Sequence, residues 1–190
     1  MKTFSGLGVS AGIGQAPALL VEPAPGLPAR DPKGDTDDDV ARVTAALSKV
    51  ADRLDARALE ADPSAIGVLM ATAMMARDPG LTSSVRTHLE EGDGPAHALW
   101  GAIDDFCAQL TAAGGYLAER VTDLHNVRDR ALAVLQGLPE PGVPAFDSPV
   151  ILVAEDLAPA DTATLDPELV RGLVTAAGGP TSHTAILAAQ

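Results

Sequence analysis

The stretch Leu169-Val170-Arg171-Gly172-Leu173-Val174-Thr175-Ala176-Ala177-Gly178-Gly179-Pro180-Thr181-Ser182-His183-Thr184-Ala185-Ile186-Leu187 changes character twice. Leu169 to Thr175 contains an apolar run of strand type. Gly178 and Gly179 then let the backbone turn sharply and come close to a ligand. Pro180 stiffens the exit, and Thr181 or Ser182 stands where a helix N-cap belongs, ahead of Ile186 and Leu187 on a buried side. Strand, glycine turn and helix in that order are the parts of an α/β unit. Working outward, Val150 to Val153 is a second strand-type run, and Ala18 to Val21 is a third, preceded by a glycine-rich turn. Between Asp156 and Asp166 lies a loop with one helical turn. The spacing pairs the strand near residue 20 with the two later ones, which makes everything between them an insertion.

That insertion has helical periodicity. Val40, Val43, Leu47, Val50 and Leu54 recur at three- and four-residue steps, and Asp35, Asp37, Asp38 and Asp39 crowd the helix start, where the dipole favours negative charge. This acidic run reads as a helix start rather than a metal site, since no glycine-turn calcium loop follows it. Asp62-Pro63 and Asp78-Pro79 each place a capping Asp before a Pro at the first helical position. They predict helices over Pro63–Arg77 and Pro79–Glu91. Gly92-Asp93-Gly94 breaks the chain before a helix over Pro95–Ala112. After Gly114-Gly115, the residues Leu117, Val121, Leu124, Val127, Ala131 and Leu135 make a second long apolar stripe. The expected organisation is an α/β part over 1–34, an inserted helical bundle over 35–137, and the second α/β part over 138–190. Proline-rich connectors, 22–33 and 138–149, mark the joins.

Composition narrows the chemistry. Hydrophobic residues make up 46% of the 190-residue chain but aromatics only 3%, so helix pairs packed through Leu, Val and Ile are expected rather than an aromatic core. A net charge of −13 disfavours nucleic acid and anionic membranes and suits a basic protein partner. Cys107 is the single cysteine, which rules out an internal disulfide and a cysteine zinc cluster. Together with the lack of a signal-peptide pattern after Met1 and of a long apolar run, this fits a cytoplasmic location.

The titratable residue with the most distinctive setting is His183, in the first turn of a helix at the mouth of an α/β unit. Backbone donors and the positive dipole end collect there and favour an anionic phosphoryl group. A neutral imidazole offers one nitrogen lone pair and attacks phosphorus near neutral pH without a separate base. Thr181, Ser182 and Thr184 can donate hydrogen bonds to phosphate oxygens. From the residues alone a structural or merely exposed histidine fits as well. A Ser182–His183 hydrolase pair does not, because no nucleophile-elbow pattern surrounds Ser182. His88, His97 and His125 fall within expected helices and lack a partner at metal spacing, so they read as surface or bundle residues. The glycine spacing of Gly6–Gly14 precedes a strand and opens no helix, against dinucleotide binding.

Gly178-Gly179-Pro180-Thr181-Ser182-His183-Thr184-Ala185-Ile186 resembles the Gly-Gly-x-Thr-Ser-His-x-x-Ile phosphohistidine signature shared by enzyme I of the bacterial phosphoenolpyruvate (PEP)-dependent sugar phosphotransferase system, PEP synthases and pyruvate, phosphate dikinases. Gly6-Leu7-Gly8-Val9-Ser10-Ala11-Gly12-Ile13-Gly14 resembles the opening of enzyme I. Tyr116-Leu117-Ala118-Glu119-Arg120-Val121-Thr122-Asp123 is similar to a segment of its helical part, and Ile151-Leu152-Val153-Ala154-Glu155-Asp156-Leu157-Ala158-Pro159 to the run before its histidine. Dikinases open instead with an ATP-grasp domain.

The resemblance implies an α/β phosphohistidine domain of swivelling type interrupted by an all-α bundle. His183 would be the phosphorylated nucleophile, through Nε2. Thr162 would orient it, the loop Gly178, Gly179, Thr181, Ser182 and Thr184 would hold the phosphoryl group, and Met74, Met75, Asp78 and Arg120 would dock the phosphocarrier HPr. It also implies that PEP and Mg2+ bind a C-terminal barrel through which the family dimerises. The present chain is then expected to be monomeric, to need no cofactor of its own, and to be unable to use PEP alone. The alternatives in other classes are a dikinase-type phosphohistidine domain and a non-catalytic HPr-binding module. Three residues depart from the family pattern: Thr72 stands where a histidine is common beside the docking surface, Pro180 replaces a frequent arginine, and Gln190 replaces the usual arginine of Ala-Arg.

Overall fold

A computed structural model describes residues 6–21, 23–61, 63–144, 146–155, 157, 159–162 and 165–177. The described chain forms two compact units, one from Met1–Pro23 with Gly142–Gln190 and one from Ala24–Pro141.

Among the described residues the first unit is built on three parallel strands in the order β1-β2-β3: β1 Ala18–Leu20, β2 Val150–Ala154 and β3 Val170–Thr175. Leu19 pairs with Leu152, and Leu152 with Leu173. Parallel neighbours require crossovers. The one from β1 to β2 contains the whole second unit, as the sequence pattern leads one to expect. The β2 to β3 crossover contains one short helix, α7, at Pro159–Thr162. Central β2 buries alternate residues Val150, Leu152 and Ala154, the period-two signature of a sheet packed on one face. Val21, Ala154 and Leu157 form a small core with Val143 and Leu173 against it. At Gly14 a Cβ would stand 2.0 Å from the Arg171 carbonyl oxygen, so only glycine lets that backbone pass so close to β3.

The second unit is a bundle. Helix α1, Thr36–Glu60, is capped by Asp35, whose carboxylate accepts from the amides of Asp37 and Asp38, with three aspartates in its first turn. The acidic run therefore begins a helix. Val43, Leu47, Val50 and Leu54 are all at most 2% exposed; burying each such side chain contributes about 1.5–3 kcal/mol. Helix α2 covers Pro63–Ala76. Helix α3, Pro79–Glu91, is capped by Asp78 through the Gly80 amide and ends on Gly92 at φ 117°. Helix α4 spans Pro95–Ala113, and its N-cap residue Gly94 supplies no side-chain hydrogen bond. That position is served from a distance by Asp31, whose Oδ2 accepts from the His97 amide at 2.8 Å and lies 3.0 Å from the His97 Nδ1.

One expectation is corrected here. The stripe from Leu117 to Leu135 is not one helix: α5, Gly115–Glu119, is separated from α6, Val121–Gln136, by Arg120. Gly114 and Gly115 enter at φ 69° and 56°, which isolates a single short turn in which Leu117 stays exposed. In α6 the buried seam is Leu124, Val127, Ala131 and Leu132, with Leu135 at its edge. No helix among the described residues is long and apolar enough to cross a membrane.

Candidate functional site

Parallel strands put all their carboxyl ends on one edge of the sheet, where ligands of open α/β sheets bind. Beyond Thr175 the pairing continues for two residues: the Ala176 amide donates to the Ala154 carbonyl at 3.0 Å and the Ala177 amide to the Glu155 carbonyl at 2.7 Å. The ladder thus delivers the chain at that edge, immediately before the glycine pair. His183, together with Gly178, Gly179, Pro180, Thr181, Ser182 and Thr184, lies outside the described residues. The crossover carrying Thr162 departs from the same edge after β2. Thr162 closes α7 and is 3% exposed, beside Asp161 at 8%. Its carbonyl accepts the Leu165 amide at 3.2 Å.

The expected docking residues sit on the bundle and differ in character. Met74 is 71% exposed and Met75 half-buried. Asp78 is exposed, with its carboxylate engaged by the Gly80 amide at 2.7 Å. These three follow one another across the α2–α3 turn. Arg120 stands at the α5–α6 junction, its guanidinium 2.9 Å from Asp123, and its side chain is only 16% exposed. Met70, not singled out in the sequence, is 51% exposed one helical turn before Met74. The i, i+4 pair of methionines was the available signal, since such residues share a face. Thr72, read as bordering this surface, is fully buried and returns its hydroxyl to the Val68 carbonyl at 2.9 Å. It faces the bundle interior.

The other histidines are occupied structurally. His88 Nε2 lies 3.0 Å from Asp105 Oδ2, and the hydrogen bond to His88 holds the Asp105 carboxyl below its ordinary range, with Ser84 helping. His97 meets Asp31 as described. Burial, then the charge of Arg128, pushes the His125 pKa down, and burial pushes the Cys107 thiol up. No group of three or more His, Cys, Asp and Glu side chains among the described residues is arranged to hold a metal ion.

Known proteins match this architecture. The family pattern described as PEP-utilising enzyme, N-terminal, matches residues 5–120, and that of the PEP-utilising enzyme mobile domain matches residues 146–190, the segment that includes His183. The chain is 46% identical over 98% of its length to a phosphoenolpyruvate-protein phosphotransferase of Streptomyces coelicolor, covering 34% of that protein. It is 33% identical over 97% of its length to the protein of the same name from Lactococcus lactis, covering 33%. The chain thus spans about a third of these relatives. A solution structure of an Enzyme I protein superposes with a TM-score of 0.79 at 28% identity, over 95% of this chain and 76% of that one. The N-terminal domain of a nitrogen Enzyme 1 shares the fold, with a TM-score of 0.62 at 22% identity over 94% of this chain and 76% of the other.

An α/β unit split by a helical bundle is the architecture over which the patterns described as PEP-utilising enzyme, N-terminal, and PEP-utilising enzyme, mobile domain, match. The chain belongs to the PEP-utilising enzyme family.

Proposed function

We propose that this chain is the phosphohistidine and carrier-docking part of a PEP-protein phosphotransferase. The lone pair of His183 Nε2 attacks phosphorus of PEP, a P–N bond forms and the P–O bond to the enol oxygen breaks. The enolate leaves and takes up a proton at carbon to give pyruvate. A histidine of HPr then attacks the same phosphorus, and the P–N bond to His183 breaks. What carries this reading is the likeness to PEP-protein phosphotransferases over almost the whole chain, with the signature histidine inside the matched mobile domain.

Neutral imidazole is the attacking form, so the free amides and dipole of the helix start that the sequence pattern predicts at Thr181 or Ser182 would serve twice. They disfavour imidazolium and they receive the incoming phosphoryl oxygens. Thr162, by the same likeness, fixes the ring by hydrogen bonding. Met70, Met74 and Met75 offer a deformable apolar patch for a transient partner, and the acidic chain attracts a basic carrier at long range. Mg2+, which the resemblance implies for a PEP-binding part outside residues 1–190, would polarise the phosphate there. No residue of this chain is assigned to it.

The test is transfer of labelled phosphate from phosphorylated HPr onto this chain and onto His183→Ala. Label that is acid-labile, base-stable and absent in the variant supports the carrier role. If both proteins fail to take label, and a chain extended past Gln190 fails too, the non-catalytic binding module replaces it. If the chain released pyruvate from PEP unaided, the assignment of PEP binding to another part would be wrong.

A further inference from the structure

Three guanidinium groups converge on one carboxylate in the bundle. Arg53 on α1 reaches Glu140 Oε2 at 2.7 Å, Arg57 one turn later lies 3.4 Å from Oε1, and Arg130 on α6 meets the same Oε1. Arg130 is 1% exposed and Glu140 20%. The Arg130 Nε is separately held by Asn126 Oδ1 at 2.7 Å.

The carboxylate comes from the segment that leaves α6. Gly137 turns the chain at φ 67°, the Leu138 amide closes the helix end on the Ala133 carbonyl at 2.9 Å, and the chain runs back until Glu140 reaches a residue ten positions earlier. Leu138 and Pro139 are exposed on the way. The segment therefore contributes little apolar burial, and its buried contact with the helices is an anionic side chain seated among cations. Gly142, at φ 109°, follows after Pro141, so positive-φ glycines bracket the segment 138–141 and allow the backbone to swing.

A fully buried guanidinium requires a counter-anion, because an uncompensated buried charge is strongly destabilising. Converging forks of this kind match any oxyanion that accepts several hydrogen bonds at once, and phosphate does so at least as well as a carboxylate. One turn before Arg53, Lys49 lies with Arg42, Ala45, Ala46, Val134 and Leu135 along an open groove of about 290 Å³ between α1 and α6. Arg42 is paired there with Asp39 at 2.8 Å, so Lys49 is the groove's cation beside the three arginines, in a chain whose net charge is −13.

We propose that Arg53, Arg57 and Arg130 form an oxyanion receptor whose resident ligand is the chain's own Glu140, and that Glu140 acts as a latch holding the segment 137–141 against the bundle. The external ligand class is a tetrahedral oxyanion, phosphate or a phosphomonoester. In the parent protein the tethered carboxylate has a high effective concentration and keeps it out.

The experiment uses Glu140→Gln, with inorganic phosphate as the probe and sodium chloride at matched ionic strength as the control, so that charge screening is common to both. The variant should bind phosphate saturably and gain roughly 5 °C in Tm at phosphate well above its Kd, while the parent gains no more than in chloride. Adding Arg53→Gln to the variant should weaken phosphate binding about tenfold or more. Without phosphate, amide exchange at Leu138 and residue 140, the two positions of 138–141 that carry an N–H because 139 and 141 are prolines, should quicken in Glu140→Gln and slow again when a carboxylate is restored as Glu140→Asp. Equal responses of parent and variant to phosphate would overturn the receptor. Unchanged exchange in Glu140→Gln would overturn the latch. If Glu140→Gln does not fold, Arg53→Gln in the parent must still quicken exchange at the Leu138 and Glu140 amides for the proposal to stand.

Discussion

Removing the Asp31 carboxylate tests whether the proline-rich connector of residues 22–33 is tied into the bundle around Asp31 or merely leads into it. The N-cap residue of α4, Gly94, has no side chain to offer, and Asp31 fills that role with an amide bond at 2.8 Å and an imidazole contact at 3.0 Å. Asp31 is 10% exposed, so the contact is shielded from solvent. Losing a cap of this type costs about 1–2 kcal/mol, part of which is the charge–dipole interaction at the helix start. Asp31→Ala should therefore lower Tm by roughly 4–8 °C. Asp31→Asn keeps an acceptor for the His97 amide and should lose about half as much.

The same contact can be broken from the other side. A Cβ at Gly94 would stand 2.0 Å from the Asp31 carbonyl oxygen and 2.5 Å from its Cγ, so Gly94→Ala must push the connector away, at about 1–3 kcal/mol. Because both substitutions dismantle one contact, the double variant should be only slightly worse than the more damaging single one, with a coupling of about 1 kcal/mol or more. Thermal and urea unfolding of the four proteins measures this cycle. An Asp31→Ala variant within about 0.3 kcal/mol of the parent, or strict additivity with Gly94→Ala, would refute the reasoning.

Leu99 is fully buried in α4, so Leu99→Ala should cost about 2–5 kcal/mol in urea unfolding; a loss under 1 kcal/mol would mean that the helix seams repack freely. The His125 pKa is lowered in the fold by burial and by Arg128. The unfolded chain then binds the proton more readily, and this contribution to stability is complete above the ordinary histidine pKa and is lost as pH falls below it. His125→Gln should flatten the stability profile on that acid side, which chemical denaturation at stepped pH reads. On the docking face, Met74→Ala and Met70→Glu should each weaken HPr binding about tenfold or more while leaving Tm within a few degrees; titration calorimetry with unchanged affinity would remove that face from the proposal.

The pattern features that survive into the fold are those with a local cause. Asp35 and Asp78 cap the helices they precede, because an Asp before a helical start satisfies orphan amides wherever it occurs. The apolar run at Val150 becomes the central strand and draws β1 beside it across the whole insertion, since a strand between two neighbours must be apolar on its packed face. What stayed hidden depends on partners distant in sequence. Nothing in the spacing says that Asp31 caps a helix beginning at Pro95, or that Glu140 meets Arg53. The break at Arg120 was masked by a continuous apolar stripe, although Gly114-Gly115 already stood at its start. The inward turn of Thr72 was not legible either, because α2 is weakly amphipathic: Met70 and Met74 are exposed while Thr72 is buried, and hydrophobicity alone does not order them. Around the histidine, the strand and its carboxyl edge were legible from the glycine pair. The buried setting of Thr162 emerges only with the crossover.

The central claim is that His183 carries a phosphoryl group on nitrogen. Phosphorus NMR of the chain after incubation with phosphorylated HPr tests it most directly. The account predicts one phosphoramidate resonance that disappears on acidification, persists in alkali and is absent from His183→Ala. The same resonance in His183→Ala would place the phosphoryl group on another residue and contradict the assignment.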